Sequence, residues 1–237
     1  QAQCLVHWPG VGWIVGGLCA ILWLALVAWL PNTDATLWVA AIISTAWGIW
    51  LTGGLHEDGL ADLTDGLGGS WQRERALEIM KDSRVGAYGV MALCLSLWLK
   101  CSLLVSLAQL DPWLGALAMV GAHVHSRFLA LAMACALPHA GDAANSKSHA
   151  ISAHVTAHMV MQSALWCGLF WLLWWGFGLP PEWALAHGGG MTLAALGWLW
   201  MRHLLWQRLQ GFTGDALGAV QQVTELLFYL GLLLTLG

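Results

Sequence analysis

The segment GGLHEDGLADLTDGLGGSWQRERALEIMKDSRVGAYG, residues 53–89, is a polar island in a largely apolar chain. It contains seven of the thirteen acidic residues and four of the nine basic residues. The whole chain has 237 residues, 59% hydrophobic and only 9% charged, with a mean hydropathy of +0.67. Soluble domains usually have about a quarter of their residues charged. The composition therefore predicts a polytopic membrane protein with its chemistry concentrated in residues 53–89.

The apolar stretches predict seven membrane-spanning helices, because a bilayer core about 30 Å thick needs roughly 20 apolar residues as a helix. The predicted spans are Val11–Leu30, Ala35–Thr52, Val85–Leu107, Trp113–Leu137, Val155–Phe177, Trp183–Leu205 and Ala216–Leu236. Since no internal repeat is evident, we expect an all-α bundle forming a single membrane-embedded domain over residues 1–237. The chain begins at Gln1 rather than Met, so we expect a native N-terminal piece to be missing.

The distribution of Lys and Arg predicts the orientation in the membrane. The connections after the second, fourth and sixth spans contain basic residues, whereas residues 31–34, 108–112 and 178–182 contain none. Cytoplasmic loops carry the excess of Lys and Arg. We therefore place residues 53–89 and the N-terminus on the cytoplasmic side. The modest net charge of −4 argues against a nucleic-acid partner.

The acidic residues of the island predict a metal site. If residues 58–65 are helical, Asp58, Asp62 and Asp65 share one helix face. Packed carboxylates repel one another unless a cation lies between them, and oxygen ligands suit Mg²⁺. Glu57 points about 100° away, where it serves a second ion or a helix cap, and Asp82 is a further candidate metal ligand.

The alternative interpretation is an ordinary solvated acidic helix. It leaves the six glycines between residues 53 and 69 unexplained, since glycine disfavours a surface helix but allows close backbone approach by a ligand. Lys81 and Arg84 follow an amphipathic stretch and could hold phosphate groups. His56 could contribute, although a lone histidine more often serves a hydrogen-bonding role. From this chemistry we predict a Mg²⁺-dependent phosphoryl or phosphodiester transfer.

Charged residues also lie within the predicted spans. Lys100, Arg127 and Glu225 would sit at membrane depth, where ionisable groups usually face the bundle interior. Snorkelling of the basic side chains is the alternative. We predict that Lys100 or Arg127 pairs with Glu225, that at least one of these two cations serves an anionic substrate, and that Glu225 belongs to the same substrate-binding region. Asp215, in a Thr-Gly-Asp turn, is expected on the same side as the island, or else it only complements a helix N-terminus.

The histidines are less informative. His154 and His158 have the i, i+4 spacing of a helical metal pair and His149 precedes them, but the glutamate of a metalloprotease motif is missing. We interpret them as structural or interfacial, and we interpret His123 and His125 in the same way.

These segments together resemble the cobalamin synthase family, also called adenosylcobinamide-GDP ribazoletransferase or cobalamin-5′-phosphate synthase. The resemblance covers most of the chain. It is carried by GGLHEDGLADLTDGLGG (residues 53–69), RALEIMKDSRVGAYG (residues 75–89), TGDALGA (residues 213–219) and Glu225, with Ser126-Arg127 as a further family position. The chain departs from the family in residues 138–147, where relatives often carry arginines and this chain has only Lys147.

The resemblance implies an integral enzyme of the bacterial inner membrane with its active site on the cytoplasmic side. The implied reaction joins adenosylcobinamide-GDP to α-ribazole or α-ribazole 5′-phosphate, releases GMP and requires Mg²⁺. In the resulting hypothesis Asp58 and Asp62, with Glu57 and Asp82, hold the metal. Asp65 is the candidate base.

The phosphate-binding residues in this hypothesis are Arg84, Lys81 and Arg127. A membrane transporter or channel using Lys100, Arg127 and Glu225 is the competing function, disfavoured by the lack of inverted repeats. A purely structural membrane subunit is a third interpretation. Association into a homo-oligomer is left open.

Overall fold

The computed structural model describes residues 2–31, 33–140 and 155–237. Over these residues the chain forms a 3₁₀-helix at Ala2–His7 and then α-helices. The α-helices are α1 (Trp8–Trp29), α2 (Asp34–Thr52), α3 (Leu55–Gly69), α4 (Arg73–Ile79), α5 (Ala87–Leu110), α6 (Pro112–Ala136), α7 (Ala157–Gly176), α8 (Pro181–Leu209) and α9 (Gly214–Leu236). The predicted all-α polytopic membrane bundle is confirmed.

Each predicted span corresponds to one helix, namely α1, α2 and α5 to α9. Within the described ranges, five segments are long and apolar enough to cross a membrane: Cys4–Trp29, Asp34–Thr52, Ala87–Leu110, Pro112–Ala136 and Gly214–Leu236. The apolar part of α7 is shorter, Ala157–Leu173. Helix α8 has 29 residues but carries Glu182, Arg202 and Arg208. Large apolar side chains on α1, α2 and α5, such as Ile21, Trp50 and Leu95, are exposed, as lipid-facing positions should be.

Local sequence signals set the ends of the helices. The side chains of Thr33, Asp111 and Thr213 accept backbone N–H groups in the first turns of α2, α6 and α9. Helix α2 ends at Gly53, and both Gly53 and Gly54 adopt positive φ angles, 67° and 69°. Glycine adopts this conformation without the steric penalty of a side chain. Two residues therefore suffice to turn the chain from α2 directly into α3.

Helix α9 lies at the centre of the bundle and packs against α8, α3, α6 and α5. Helix α1 packs mainly against α6. The short acidic helix α3 lies against α9 and α5. The carboxylates of residues 53–69 are thus placed beside the first turns of α9 and α5.

Two arginines fasten the polar segment to the end of α8. Arg73 donates from Nε to the Leu209 carbonyl at 2.7 Å and from Nη2 to the Ala140 carbonyl at 2.6 Å. Arg208 donates to the carbonyls of Leu67 and Ser70, at 2.9 and 2.7 Å. The last carbonyls of a helix lack partners within the helix, so guanidinium groups stabilise these ends.

Candidate functional site

The predicted helix over residues 58–65 is confirmed, because α3 spans Leu55–Gly69. Its three aspartates nevertheless differ in exposure: Asp58 is exposed, Asp62 is half-buried and Asp65 is buried. The acidic face is therefore graded from solvent into the protein, and its members are chemically distinct.

Asp215 joins the exposed end of this face. At Gly59 the backbone of α3 lies so close to α9 that a Cβ there would come within 2.6 Å of the Asp215 carbonyl oxygen. The glycine-rich sequence predicted close approach of a ligand at such positions. In the structure the neighbour at Gly59 is a second helix, and this contact brings Asp215 beside the turn that carries Asp58 and Asp62.

These carboxylates interact electrostatically with one another. The pKa of Asp62 is raised from 3.8 to about 6, first by burial and then by the negative charges of Asp58, Asp215 and Asp65. Among the described residues, none of Asp58, Asp62 and Asp215 forms an ion pair with a basic side chain. This end of the site therefore carries negative charge that a cation would neutralise.

No three or more His, Cys, Asp or Glu side chains in the described ranges form a group that could hold a metal ion. Protein sites for Mg²⁺ usually supply one or two carboxylates and leave the remaining positions to water and substrate phosphate. One or two of the Asp58, Asp62 and Asp215 carboxylates fit that chemistry, because they are oxygen ligands without a cationic partner among the described residues.

Asp65, the predicted base, has another set of contacts. Its Oδ2 accepts the backbone N–H of Gly86 at 2.6 Å, and its Oδ1 accepts that of Gly89 at 2.8 Å. These amides lie at the start of α5, whose first N–H groups have no partner within the helix. Asp65 thus joins α3 to the N-terminus of α5. Its role as the base stays a prediction.

Two predicted ligands contact each other. Arg84 donates to Asp82 from Nη2 at 2.6 Å and from Nε at 3.0 Å, in the connection between α4 and α5. This pairing lowers the pKa of Asp82 to about 2, chiefly through the hydrogen bonds from Arg84. The exposed Lys81 lies in the same connection. The roles of these three residues in binding metal or phosphate stay predictions.

Glu57 and His56 point toward the interior. Gln222 of α9 donates to Glu57 Oε1 at 2.8 Å, and burial raises the pKa of Glu57. Burial, followed by the positive charge of Arg127, lowers the pKa of His56 to about 4, so its imidazole is neutral at pH 7. The predicted divergence of Glu57 from the aspartate face agrees with this placement.

Behind α3 lies a buried polar network. Lys100 of α5 and Glu225 of α9 form an ion pair with Nζ and Oε1 separated by 2.5 Å. Gln221 donates to the other carboxylate oxygen of Glu225 at 2.6 Å. The prediction that Glu225 pairs with an intramembrane cation is confirmed, and Lys100 is that cation.

Arg127 occupies the adjoining position on α6. Its Nη1 lies 2.8 Å from His123 Nδ1 and donates to the His123 carbonyl at 3.0 Å. The Ser126 hydroxyl is bonded to Gln221 at 3.1 Å. Gln221 and Gln222 were missed as members of this network by sequence reasoning, whereas His123 was interpreted as structural or interfacial, and that interpretation stays a prediction. Two consecutive amides inside an apolar span were the available signal, since polar groups at membrane depth require partners.

Arg127 and His56 also line a cavity of about 510 Å³ between α1, α2, α3, α6 and α9. Asp215 and Gln221 also line it, and Val11, Val15 and Leu51 contribute apolar side chains. The cavity therefore joins the acidic end of α3 to the buried network. His149, His154 and Lys147 lie outside the described residues, as does most of the variant loop at 138–152.

Comparison with known proteins identifies the family of this chain. The family model described as cobalamin-5-phosphate synthase matches residues 1–233. This chain belongs to that family. It is therefore a membrane-embedded transferase of cobalamin biosynthesis.

Relatives called adenosylcobinamide-GDP ribazoletransferase support the assignment. The protein from Polaromonas sp. strain JS666 is 45% identical, with 97% of this chain and 85% of the relative aligned. The one from Polaromonas naphthalenivorans is 46% identical, with 98% and 86% aligned. A more distant relative from Leptospira interrogans is 35% identical, with 95% and 83% aligned. No solved structure matches the chain.

Proposed function

We propose that this enzyme transfers the adenosylcobinamide phosphate group of adenosylcobinamide-GDP to α-ribazole or α-ribazole 5′-phosphate and releases GMP. The names of the relatives supply the substrates, and the site supplies the chemistry. The observation that carries the proposal is the proximity of Asp58, Asp62 and Asp215: burial, and then repulsion from the neighbouring carboxylates, raises the pKa of Asp62 to about 6. Unmatched carboxylates beside a cavity are typical of a site for a metal and a phosphorylated substrate.

One or two of the Asp58, Asp62 and Asp215 carboxylates would hold Mg²⁺. Bound there, the ion would neutralise the charge that develops on a pyrophosphate during displacement. The sequence predicted Glu57 and Asp82 in this set, but Glu57 is bonded to Gln222 and Asp82 to Arg84. Asp215 replaces them in the proposal because α9 presents it beside Gly59.

The transfer itself is a displacement at phosphorus. The 3′-hydroxyl oxygen of the ribose attacks the phosphorus on the cobinamide side, the bond to the GMP phosphate oxygen breaks, and GMP leaves with the bonding electrons. The attacking hydroxyl loses its proton to a base. We assign this role to His56, which lines the cavity and is neutral at pH 7. Asp65, the base predicted from the sequence, already accepts two backbone N–H groups, so we prefer His56 for this role.

Arg127 holds a substrate phosphate in this scheme, because a buried guanidinium with its planar array of donors suits phosphate oxygens. Arg84 and Lys81 are exposed and can meet the large corrinoid substrate outside the bundle. We place this site on the cytoplasmic side of the bacterial inner membrane, from the Lys and Arg distribution.

The decisive experiment measures GMP release by purified protein given adenosylcobinamide-GDP, α-ribazole and Mg²⁺. We expect release that requires the metal and falls at least about 100-fold in Asp62→Ala and Asp58→Ala. The matched control is Glu74→Ala, an exposed carboxylate on α4. Release that persists undiminished without divalent cations, or in both aspartate variants, would overturn the proposed site. Failure of well-folded protein to release GMP would reopen the transporter interpretation.

A further inference from the structure

The cavity of about 510 Å³ has a mainly apolar lining, chiefly the side chains of Trp8, Val11, Val15, Leu51 and Leu217. A few polar groups also line it, on His56, Arg127, Asp215 and Gln221. The volume lies in the range that encloses a drug-sized ligand. A matching ligand has an apolar body with hydroxyl or phosphate groups at one end.

The size and polarity of each substrate of the proposed reaction can be compared with the volume and lining of the cavity. The corrinoid exceeds the drug-sized ligands that cavities of this volume enclose. The guanine base of the other substrate fits in size, but most of the cavity lining is apolar, so its several amide and amino groups would find few partners. A buried donor or acceptor without a partner weakens binding. An apolar lining therefore selects against guanine.

The acceptor has the complementary shape. Its base is a dimethylbenzimidazole, a bicyclic aromatic ring with two methyl groups and no N–H donor, and its ribose carries the hydroxyl groups. The ring can contact Trp8, Val15 and Leu217 without stranding a donor. Aromatic rings stack or pack edge to face with considerable stabilisation, so Trp8 suits this role.

We propose that this cavity is the acceptor subsite, with the benzimidazole against the apolar side chains and the ribose directed to His56 and Asp215. The inference rests on the proposed function and adds the location and the selectivity of the acceptor site. It places the ribose between the proposed base and the acidic cluster. Val11, Val15 and Leu217 become specificity-determining residues for an apolar base.

The test uses two tryptophan substitutions on one helix. Val11 lines the cavity and is 47% exposed, so Val11→Trp can narrow the cavity without disturbing the core. Ile14, one turn further along α1, is 64% exposed and does not line the cavity, so Ile14→Trp is the matched control. We expect Val11→Trp to raise the KM for α-ribazole at least about tenfold, with the KM for adenosylcobinamide-GDP unchanged. Ile14→Trp should change neither.

A direct binding measurement tests the acceptor subsite independently of the transfer reaction. Radiolabelled α-ribazole should bind wild-type protein and the Ile14→Trp variant equally, and Val11→Trp about tenfold more weakly. If wild-type protein binds α-ribazole in this pattern but releases no GMP, the proposed function fails and the subsite stands. If GMP is released and Val11→Trp raises the KM for adenosylcobinamide-GDP instead, the function stands and the subsite is wrong.

A milder variant covers the case in which Val11→Trp does not fold. Ala130 of α6 is buried in the cavity wall, and Ala130→Val adds two methyl groups there. We expect a smaller rise in the KM for α-ribazole, about threefold. A nucleoside with a purine in place of the benzimidazole should compete poorly with α-ribazole in wild-type protein. Equal competition by the purine nucleoside would overturn the selectivity.

Discussion

The acidic face of α3 and the buried pair of Lys100 and Glu225 both contain carboxylates, but they differ in whether a cation compensates the negative charge. On α3, Asp58 is exposed and Asp62 is half-buried, and Asp215 adds a third like charge. In the interior, Lys100 Nζ lies 2.5 Å from Glu225 Oε1, and Gln221 donates to the second carboxylate oxygen. The interior carboxylate is thus paired with a cation, whereas no basic side chain among the described residues forms an ion pair with Asp58, Asp62 or Asp215.

This difference separates a structural contribution from a binding one. A buried ion pair is costly to break, because the surviving charge has no partner and no water. Unpaired like charges, by contrast, destabilise the fold slightly, and they contribute favourable binding energy only when a cation binds. The two regions should therefore respond oppositely to mutation.

The largest effect on stability is expected in the interior. Lys100→Met leaves the Glu225 carboxylate uncompensated and should destabilise the protein by about 3–5 kcal/mol, whereas Asp58→Asn should leave stability unchanged or slightly increased. Thermal melting in detergent measures both. The double variant Lys100→Met/Glu225→Gln should regain part of the loss. Equal melting temperatures for Lys100→Met and wild-type protein would contradict the contrast.

Asp65 is the buried aspartate of α3 and is hydrogen-bonded to the start of α5, so it sharpens the comparison. In Asp65→Asn an amide N–H₂ group faces the N–H of Gly86 or Gly89, and we expect a loss of about 1–3 kcal/mol in stability. Turnover of the folded fraction should then fall only modestly, with Glu74→Gln as the control. If the melting temperature is kept while kcat falls more than about 100-fold, Asp65 is the base and the assignment to His56 is wrong.

The smallest effect is a pH dependence at Asp62. Its pKa is raised from 3.8 to about 6 in the folded protein, so the folded state holds this proton more tightly than the unfolded chain. Without divalent cations, the contribution of Asp62 to stability should therefore decrease as pH rises from about 4 to about 6. The measurement is the difference in melting temperature between wild-type protein and Asp62→Asn across this range.

Cation binding gives the matching test on the same group. Ligation needs the deprotonated carboxylate, so Mg²⁺ should raise the melting temperature at pH 7 and have less effect below pH 6. A Mg²⁺ effect that is independent of pH between 5 and 7 would argue against Asp62 as a ligand.

Much of the fold was predictable because its signals are local. Apolar runs of membrane-spanning length identified the helices, and Pro112, Thr33 and the Gly53–Gly54 pair mark ends that chain-local chemistry explains. The 100° step along a helix also predicted that α3 carries its aspartates together. The span boundaries differ from the observed helix ends by no more than four residues.

The partners of the site residues were harder to predict. Asp65 accepts N–H groups 21 and 24 residues further along the chain, and no local pattern announces that contact. The glycines of α3 were attributed to ligand approach, whereas Gly59 meets the backbone of Asp215. Gln221 and Gln222 escaped notice because an amide has no charge to stand out in the composition.

The sequence by itself determined that this chain is a membrane-embedded helical enzyme with an acidic helix, since hydropathy, helical periodicity and motif spacing are properties of the chain alone. Only the tertiary structure decided which charges are satisfied and which are left for ligands. Lys100 meets Glu225 and Asp215 meets α3 because α9 packs between α5, α6 and α3. Pairing energies depend on distance and burial, and both arise only when helices distant in sequence come into contact.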